Sequence, residues 1–302
     1  MPQLQKAQQI AKTIIEDFDN STSLNQEQIH TLIAGYMSIA KEQEICQKIP
    51  KGSFLVAGDI HGDITILKQI ISLFLSNQGK IDHLIFLGDF VDRGSHSIGC
   101  LAILYSLVIS HPKRVHLIRG NHEALSVNAR YGFKDEVKKK LGSLETYRLF
   151  NESFGQMPVM LLHQKLGYFF IHGGLSVDNN SLDELCQIPK GDQDLQDNNL
   201  KQLLWNDPKE NIDYSGYSMR GMGVYTFGQA CVEQFLETND LNMIIRAHEA
   251  FPEGYRYFFD KKLLSLFSSE EHYSYVNAKV AYFTSKGEIT IFHPRKKPDF
   301  LD

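Results

Sequence analysis

The spacing of hydrophobic positions changes along this chain. Up to residue 50 it is helical: Leu4, Ile10, Ala11, Ile14, Ile15 and Phe18 mark one apolar face, "DNSTS" interrupts it, and Ile29, Leu32, Ile33, Tyr36 and Met37 mark a second. Ser23 and Gln26 stand three apart, the spacing of a capping box that opens the second helix. Pro50-Lys51-Gly52 closes the region. Two helices bury little core alone, so residues 1–50 read as a helical cap packed on the main domain.

From residue 53 the pattern alternates. "SFLVAGD" reads as a strand, 64–76 as a helix and "HLIFLGD" (83–89) as a second strand. A helix over 97–110 and a third strand, "RVHLIRG" (114–120), follow. Such a β-α-β-α-β succession implies parallel strands joined by right-handed crossovers. Two later runs, 159–174 and 282–293, each read as a hairpin with a Gly-containing turn. Helical segments are expected around 135–153 and 228–239, a short strand over 242–248, and a polar loop over 189–199.

Composition narrows the function classes. Of 302 residues 42% are hydrophobic and 22% charged, an ordinary globular balance, and the net charge of −5 offers no electrostatic case for nucleic-acid binding. Cys46, Cys100, Cys186 and Cys231 are far apart and form no CxxC pair, which argues against a disulfide framework and a zinc knuckle. The polar start, Met1 to Lys12, has no apolar signal-peptide core, and "CLAILYSLVIS" (100–110) is too short to span a membrane. The expectation is a cytoplasmic protein, also nuclear if the source is eukaryotic.

The chemistry gathers where apolar runs stop. The first strand ends in Gly58-Asp59-Ile60-His61-Gly62, with Asp and His two apart, a spacing that puts both on one side of extended backbone. The second ends in Gly88-Asp89-Phe90-Val91-Asp92-Arg93-Gly94 and the third in Gly120-Asn121-His122-Glu123. Two further apolar runs end in His172 ("FIHGG") and His248 ("IIRAHE"). Ligands of open α/β sheets bind at the carboxyl ends of strands. Carboxylates, imidazoles and one amide delivered there suit two borderline divalent metals such as Mn, Fe or Zn. A lone histidine after a strand is usually structural, and the other eight histidines receive no chemistry. Three such motifs at intervals of one βα unit make coincidence a poor explanation.

The order "GDIHGD", "GDFVDRG", "GNHE", "HGG" and "RAHE" closely resembles the phosphoprotein phosphatase family of serine/threonine phosphatases, nearest its type 1 and type 2A catalytic subunits. "LLWNDP" (203–208) and "MRGMGVYTFG" (219–228) extend the likeness over residues of about 50 to 293. The resemblance implies an α/β fold, the calcineurin-like metallophosphoesterase sandwich of two mixed sheets flanked by helices, with a catalytic domain over 51–294 and a short tail over 295–302. It implies a two-metal centre: Asp59, His61 and Asp89 hold the first ion, with Asp89 bridging, and Asn121, His172 and His248 complete the second. Arg93, Asn121 and Arg220 would bind phosphate, and the guanidinium fork suits a dianion. His122 would protonate the leaving alkoxide with Asp92 holding its charge, while a metal-bridging hydroxide attacks phosphorus. Manganese would serve in vitro, with iron or zinc as alternatives. Phosphorylated proteins would be the substrates, regulatory subunits the partners, and neither nucleic acid nor membrane is implied.

Some positions stay open or depart from the family. Arg246 leans toward the site over a structural ion pair, Glu123 is either a support for the site or a helix-start acid, Tyr131 is either near the cleft or packing, and Trp205 reads as core. The family's "SAPNYC"-like loop is replaced by "SSEEHYS" (268–274), where Tyr273 or His272 would stand for the family tyrosine. Glu270 and Glu271 would add negative charge to the rim and disfavour acidic phosphopeptides. Two other functions compete: a bis-nucleoside tetraphosphate or small phosphoester hydrolase on the same core, and an inactive scaffold. "LWNDP" with "RGMGVYTFG" speaks against the first, and the complete donor set against the second.

Overall fold

The structure, a computed structural model, describes residues 2–301. Helices α1 (Pro2–Glu16) and α2 (Gln26–Ala40) open the chain, and strand β1 (Cys46–Ile49) follows. Then come β2 (Phe54–Ala57), α3 (Ile64–Ser76), β3 (His83–Phe86), α4 (Ser97–Ser110) and β4 (Val115–Leu117). The helices α5 (Leu125–Asn128), α6 (Phe133–Leu141) and α7 (Leu144–Gly155) lead to the hairpin β5 (Met160–His163) and β6 (Tyr168–Ile171). The segments α8 (Leu182–Leu185), α9 (Asn198–Trp205), β7 (Asp207–Pro208), β8 (Ser215–Tyr217), β9 (Tyr225–Phe227) and α10 (Gln229–Thr238) come next. Strands β10 (Met243–Arg246), β11 (Tyr255–Phe258), β12 (Leu263–Leu266), β13 (Val280–Phe283) and β14 (Ile289–Phe292) complete the order.

Two mixed sheets face each other, as expected. One runs β14-β13-β2-β3-β4, with β2, β3 and β4 parallel. The other runs β1-β5-β6-β10-β12-β11, with β6, β10 and β12 parallel. Alternation along β2 shows how the layers form. Phe54 and Val56 join Ile85, Phe170, Ile245 and Leu264 between the sheets, while Leu55 and Ala57 join the helices outside. Those helices are α1–α4, α6 and α7, with Ile33, Leu67, Leu104 and Phe154 in one apolar cluster. A second outer layer, with α9 and α10, covers the opposite face. Among the described residues no helix is long and apolar enough to cross a membrane.

Several elements differ from expectation. The capping box of α2 is Asn25 with Gln28: each side chain takes the other's backbone N–H at 3.0 Å. Ser23 does not serve, because α2 begins only at Gln26 and Ser23 instead closes the preceding 3₁₀ turn. The segment 1–50 is not wholly helical, since β1 pairs in parallel with β5 at the edge of the six-stranded sheet. A third small sheet, β7-β9-β8, was not foreseen; strands of two or three residues show too little alternation to be read.

Candidate functional site

The sequence places a Gly-Asp or Gly-Asn step after each early strand, and the structure shows why glycine is needed. Gly88 has φ +101°, and a Cβ there would lie 2.5 Å from the Gly120 backbone nitrogen. A Cβ on Gly120 would sit 2.2 Å from Asp89 Oδ1. The loops after β3 and β4 therefore touch backbone to backbone, and the side chains beyond them are driven to one spot. Five of the expected site residues hold left-handed backbone: His61, Asp89, Asp92, Arg93 and His248, with φ from 46° to 73°. Such conformations cost non-glycine residues free energy and cluster at functional sites. They also correct one detail. Asp59 and His61 converge because the chain turns beyond β2, not because they alternate on a strand.

Glu123 holds this turn region. Its Oε2 accepts the N–H groups of Asp89 (2.8 Å) and Gly120 (2.9 Å), and its Oε1 those of Phe90 (2.8 Å) and Val91 (3.3 Å). It is fully buried, and burial pushes its carboxyl up to about 7 against those donors. Glu123 is thus a support for the loop carrying Asp89. Glu123→Gln turns an amide NH₂ toward N–H donors, so a loss of about 1–3 kcal/mol is expected. Metal affinity should fall roughly 10–100-fold, as for other residues that orient ligands. Thermal unfolding and a metal titration test both; an unchanged affinity would show that the loop holds itself.

The donors point inward at one space. His61 Nδ1 donates to the Val91 carbonyl (2.9 Å) and His172 Nδ1 to that of Leu87 (2.8 Å), so each Nε2 presents a lone pair. His61 Nε2 lies 3.5 Å from an oxygen of Asp59 and 3.5 Å from Asp89 Oδ2, and His172 Nε2 lies 3.3 Å from Asp89 Oδ1. His248 Nδ1 is 3.2 Å from His172 Nε2, and its Nε2 is buried without a hydrogen-bond partner. Burial holds His172 at about 3 and His248 well below the usual range, so both are the neutral imidazoles that ligate metal.

This is a cage of acceptors. The Asn121 side-chain oxygen sits 2.9 Å from both His172 Nε2 and His248 Nδ1 and 3.2 Å from each Asp89 carboxylate oxygen. Turning the amide over would supply donors; a cation in that space makes the oxygen orientation the favourable one. Burial, with Asp59 and Glu123 nearby, raises Asp89 well above the ordinary carboxylate range, a cost a cation relieves. Two metal-sized clusters result, His61–Asp89–His122 and Asp89–His172–His248, and Asp89 belongs to both. The residues present fit a two-ion centre. Asp59 approaches the first cluster through His61, and its other oxygen takes the His248 N–H at 2.8 Å.

The rest of the site lines a cleft of ≈ 510 Å³. His122 Nδ1 meets Asp92 Oδ2 at 2.7 Å, and Asp92 Oδ1 accepts the Phe133 N–H at 2.9 Å. Burial pushes Asp92 up to about 6 and His122 well below its usual range. A phosphate dianion in the cleft acts oppositely on His122, favouring imidazolium. Arg93 lies 4.4 Å over the Tyr131 ring and lines the cleft, as does Arg220. The six expected metal ligands, with Asp92, Arg93, His122 and Arg220, are therefore in or against this space.

Three readings change. Arg246 is fully buried and does not line the cleft: it bonds the carbonyls of Gly173 and Asn206, Asp207 at 2.9 Å and Glu249 at 2.8 Å, a structural role. Trp205 packs half-buried against the outer core, as expected, but it is also a cleft wall, edge-on to His248 at 5.6 Å. The rim glutamates turn away from the cleft. Glu270 pairs with His293 (2.7 Å) and Arg295 (3.4 Å), and Glu271 takes the Ser95 N–H (3.1 Å) and hydroxyl (2.5 Å). The expected bias against acidic peptides loses its basis. Tyr273 reaches the cleft, 5.8 Å from the His61 ring, while His272 stays exposed.

Asp207 was missed. It ion-pairs Arg220 as well as Arg246, and it lies in the small sheet whose β8–β9 connection carries Arg220. Only its place in "LLWNDP" hinted at it. Asp207→Asn should lower kcat/KM for a phosphopeptide by up to roughly 100-fold, the scale of misplacing a binding group by about 1 Å. Steady-state kinetics test this, and unchanged kcat/KM would show that Arg220 places itself.

The calcineurin-like phosphoesterase family model matches residues 52–252. The chain belongs to that family. Among solved structures it is similar to a Saccharomyces cerevisiae protein serine/threonine phosphatase described as similar to human phosphatase PP5. That match has 29% identity, covers 91% of this chain and 92% of that one, and gives a TM-score of 0.79. The resemblance to the phosphoprotein phosphatases is borne out. The chain also shares its fold with the cold-active protein-tyrosine phosphatase of a psychrophilic Shewanella, at 15% identity, 84% coverage of each chain and a TM-score of 0.56. The family, the acceptor cage and the cleft together make this a metal-binding phosphoesterase.

Proposed function

We propose that this phosphoesterase is a metal-dependent phosphoprotein serine/threonine phosphatase. One observation carries the reading: Arg93, Arg220 and the His122–Asp92 pair line the same cleft as the acceptor cage centred on Asp89. Similarity to the yeast serine/threonine phosphatase supports it.

Asp59, His61 and Asp89 would hold one divalent ion, and Asp89, Asn121, His172 and His248 the other. The bound ions supply Lewis acidity toward phosphoryl oxygen and an activated water at neutral pH. The chain's own groups do the remainder. Arg93 and Arg220 receive the phosphate oxygens with charge-assisted hydrogen bonds. Asp92 keeps the His122 Nδ1 proton, which directs Nε2 to deliver a proton to the departing serine or threonine oxygen. Trp205, Tyr131 and Tyr273 wall the cleft and limit water around the reacting group.

The test is turnover of phosphoserine and phosphothreonine peptides with added manganese, beside a phosphotyrosine peptide and a dinucleoside polyphosphate. Metal-dependent release of phosphate from the first two is expected. Cleavage of the dinucleotide or phosphotyrosine alone would transfer the site to those substrates. Metal binding without cleavage of any would revive the scaffold.

A further inference from the structure

The connection between β8 and β9 presents two kinds of side chain. Arg220 turns inward: Asp207 holds its guanidinium, and it lines the cleft with His122 and Asn121. Met219 and Met222, which flank it in sequence, are 103% and 96% exposed, and Tyr217 at the end of β8 is 91% exposed. Among the described residues these are the three most exposed large apolar side chains. The backbone fixes that exposure. At the base of the loop the Ser218 N–H donates to the Val224 carbonyl at 3.1 Å, and the Tyr225 N–H donates to Asn206 Oδ1 at 2.7 Å. Val224 itself is buried, so the base is anchored. At the tip Gly221 and Gly223 have φ of +142° and +76°, and a Cβ on Gly221 would meet nothing within 4 Å. The tip therefore stands clear of the body and holds both methionines in water.

Apolar groups gathered on an anchored, exposed loop mark a contact surface. Arg220 indicates what covers this one. A polypeptide whose phosphate is received by Arg220 must run along the cleft mouth, where the same loop presents Met219 and Met222. Phe251 and Tyr275 line the cleft as well and continue its apolar rim. Granted the phosphoprotein phosphatase activity proposed above, on which this rests, we propose that Met219 and Met222 select substrates with a bulky apolar residue close to the phosphorylated serine or threonine. Methionine suits the task, because an unbranched, polarizable side chain moulds itself to leucine, isoleucine or phenylalanine alike. The selection is thus for a class of neighbour and not for one residue.

Matched phosphoserine peptides that carry either leucine or serine beside the phosphoserine, turned over with added manganese, test this through the ratio of their kcat/KM values. The wild type should favour the leucine peptides roughly 10-fold, the lower end of what one apolar contact yields in a pocket. In the double variant Met219→Ser, Met222→Ser the ratio should fall to about one, whatever the absolute rates, since each enzyme is its own reference. Both positions are exposed, so the substitutions remove no buried contact. Equal rates in the wild type, or a preference that persists in the variant, would overturn the selection and leave the phosphatase activity standing. No turnover of any phosphopeptide would remove that activity and the selection with it. Light scattering separates the remaining occupant: a wild-type dimer that the substitutions dissociate would assign the loop to a second copy of the chain and overturn the selection.

Discussion

His122→Asn is expected to slow hydrolysis of a phosphoserine peptide by roughly 10²–10⁴-fold, the range for a positioned general acid, while p-nitrophenyl phosphate suffers far less. The asymmetry follows from the leaving groups. A serine alkoxide needs a proton as the P–O bond breaks, whereas nitrophenolate leaves well without one. His122 is placed for this: its Nδ1 is engaged by Asp92 at 2.7 Å, its backbone N–H is spent on Asp89 Oδ1 at 2.9 Å, and its ring stands in the cleft. Asp92 in turn is fixed by the Phe133 N–H, so the imidazole cannot swing freely. Asn keeps the backbone contact to Asp89 and loses only the ring. Equal losses on the two substrates would remove His122 from the proton transfer and leave it a structural role.

Asp89→Asn should be the most damaging substitution in metal handling. Both clusters use Asp89, with Oδ1 facing His172 Nε2 at 3.3 Å and Oδ2 facing His61 Nε2 at 3.5 Å. An amide nitrogen at either position presents hydrogens where a cation should sit. Bound metal, counted by elemental analysis, should fall by at least one ion per chain. Turnover should fall by roughly 10²–10³-fold or more, the scale of losing one preorganised electrostatic stabiliser. A second readout moves the other way. In the metal-free protein, burial and the nearby Asp59 and Glu123 make the Asp89 carboxylate costly, so a neutral amide should raise the unfolding midpoint there. Two retained ions with no stabilisation of the metal-free chain would refute the bridging role.

Both predictions concern residues that stand out in the bare sequence, because their signal is local. Asp89 and His122 stand in short Gly-bounded motifs at strand ends, and the strand ends follow from apolar runs. The helices over 64–76 and 97–110 have the bounds that their patterns suggest, since each ends where polar residues begin. Glu123 lay in the same motif, yet its role needed the four N–H groups that converge on it from Asp89, Phe90, Val91 and Gly120. Arg246 misled for the opposite reason. Two residues from His248, it still points into the fold, where Asp207 and Glu249 neutralise it.

By itself the sequence determined the alternation of strands and helices, the donor types at each strand end and the family they resemble. These are properties of short windows, where side-chain period and glycine placement act directly on the backbone. The tertiary structure alone decided which groups meet. It set Asp207 against Arg220, stood Trp205 edge-on to His248, and turned Glu270 and Glu271 out of the cleft. Those pairings depend on how strands far apart in the chain choose neighbours and register. That choice is made by packing the whole core, and no local pattern encodes it.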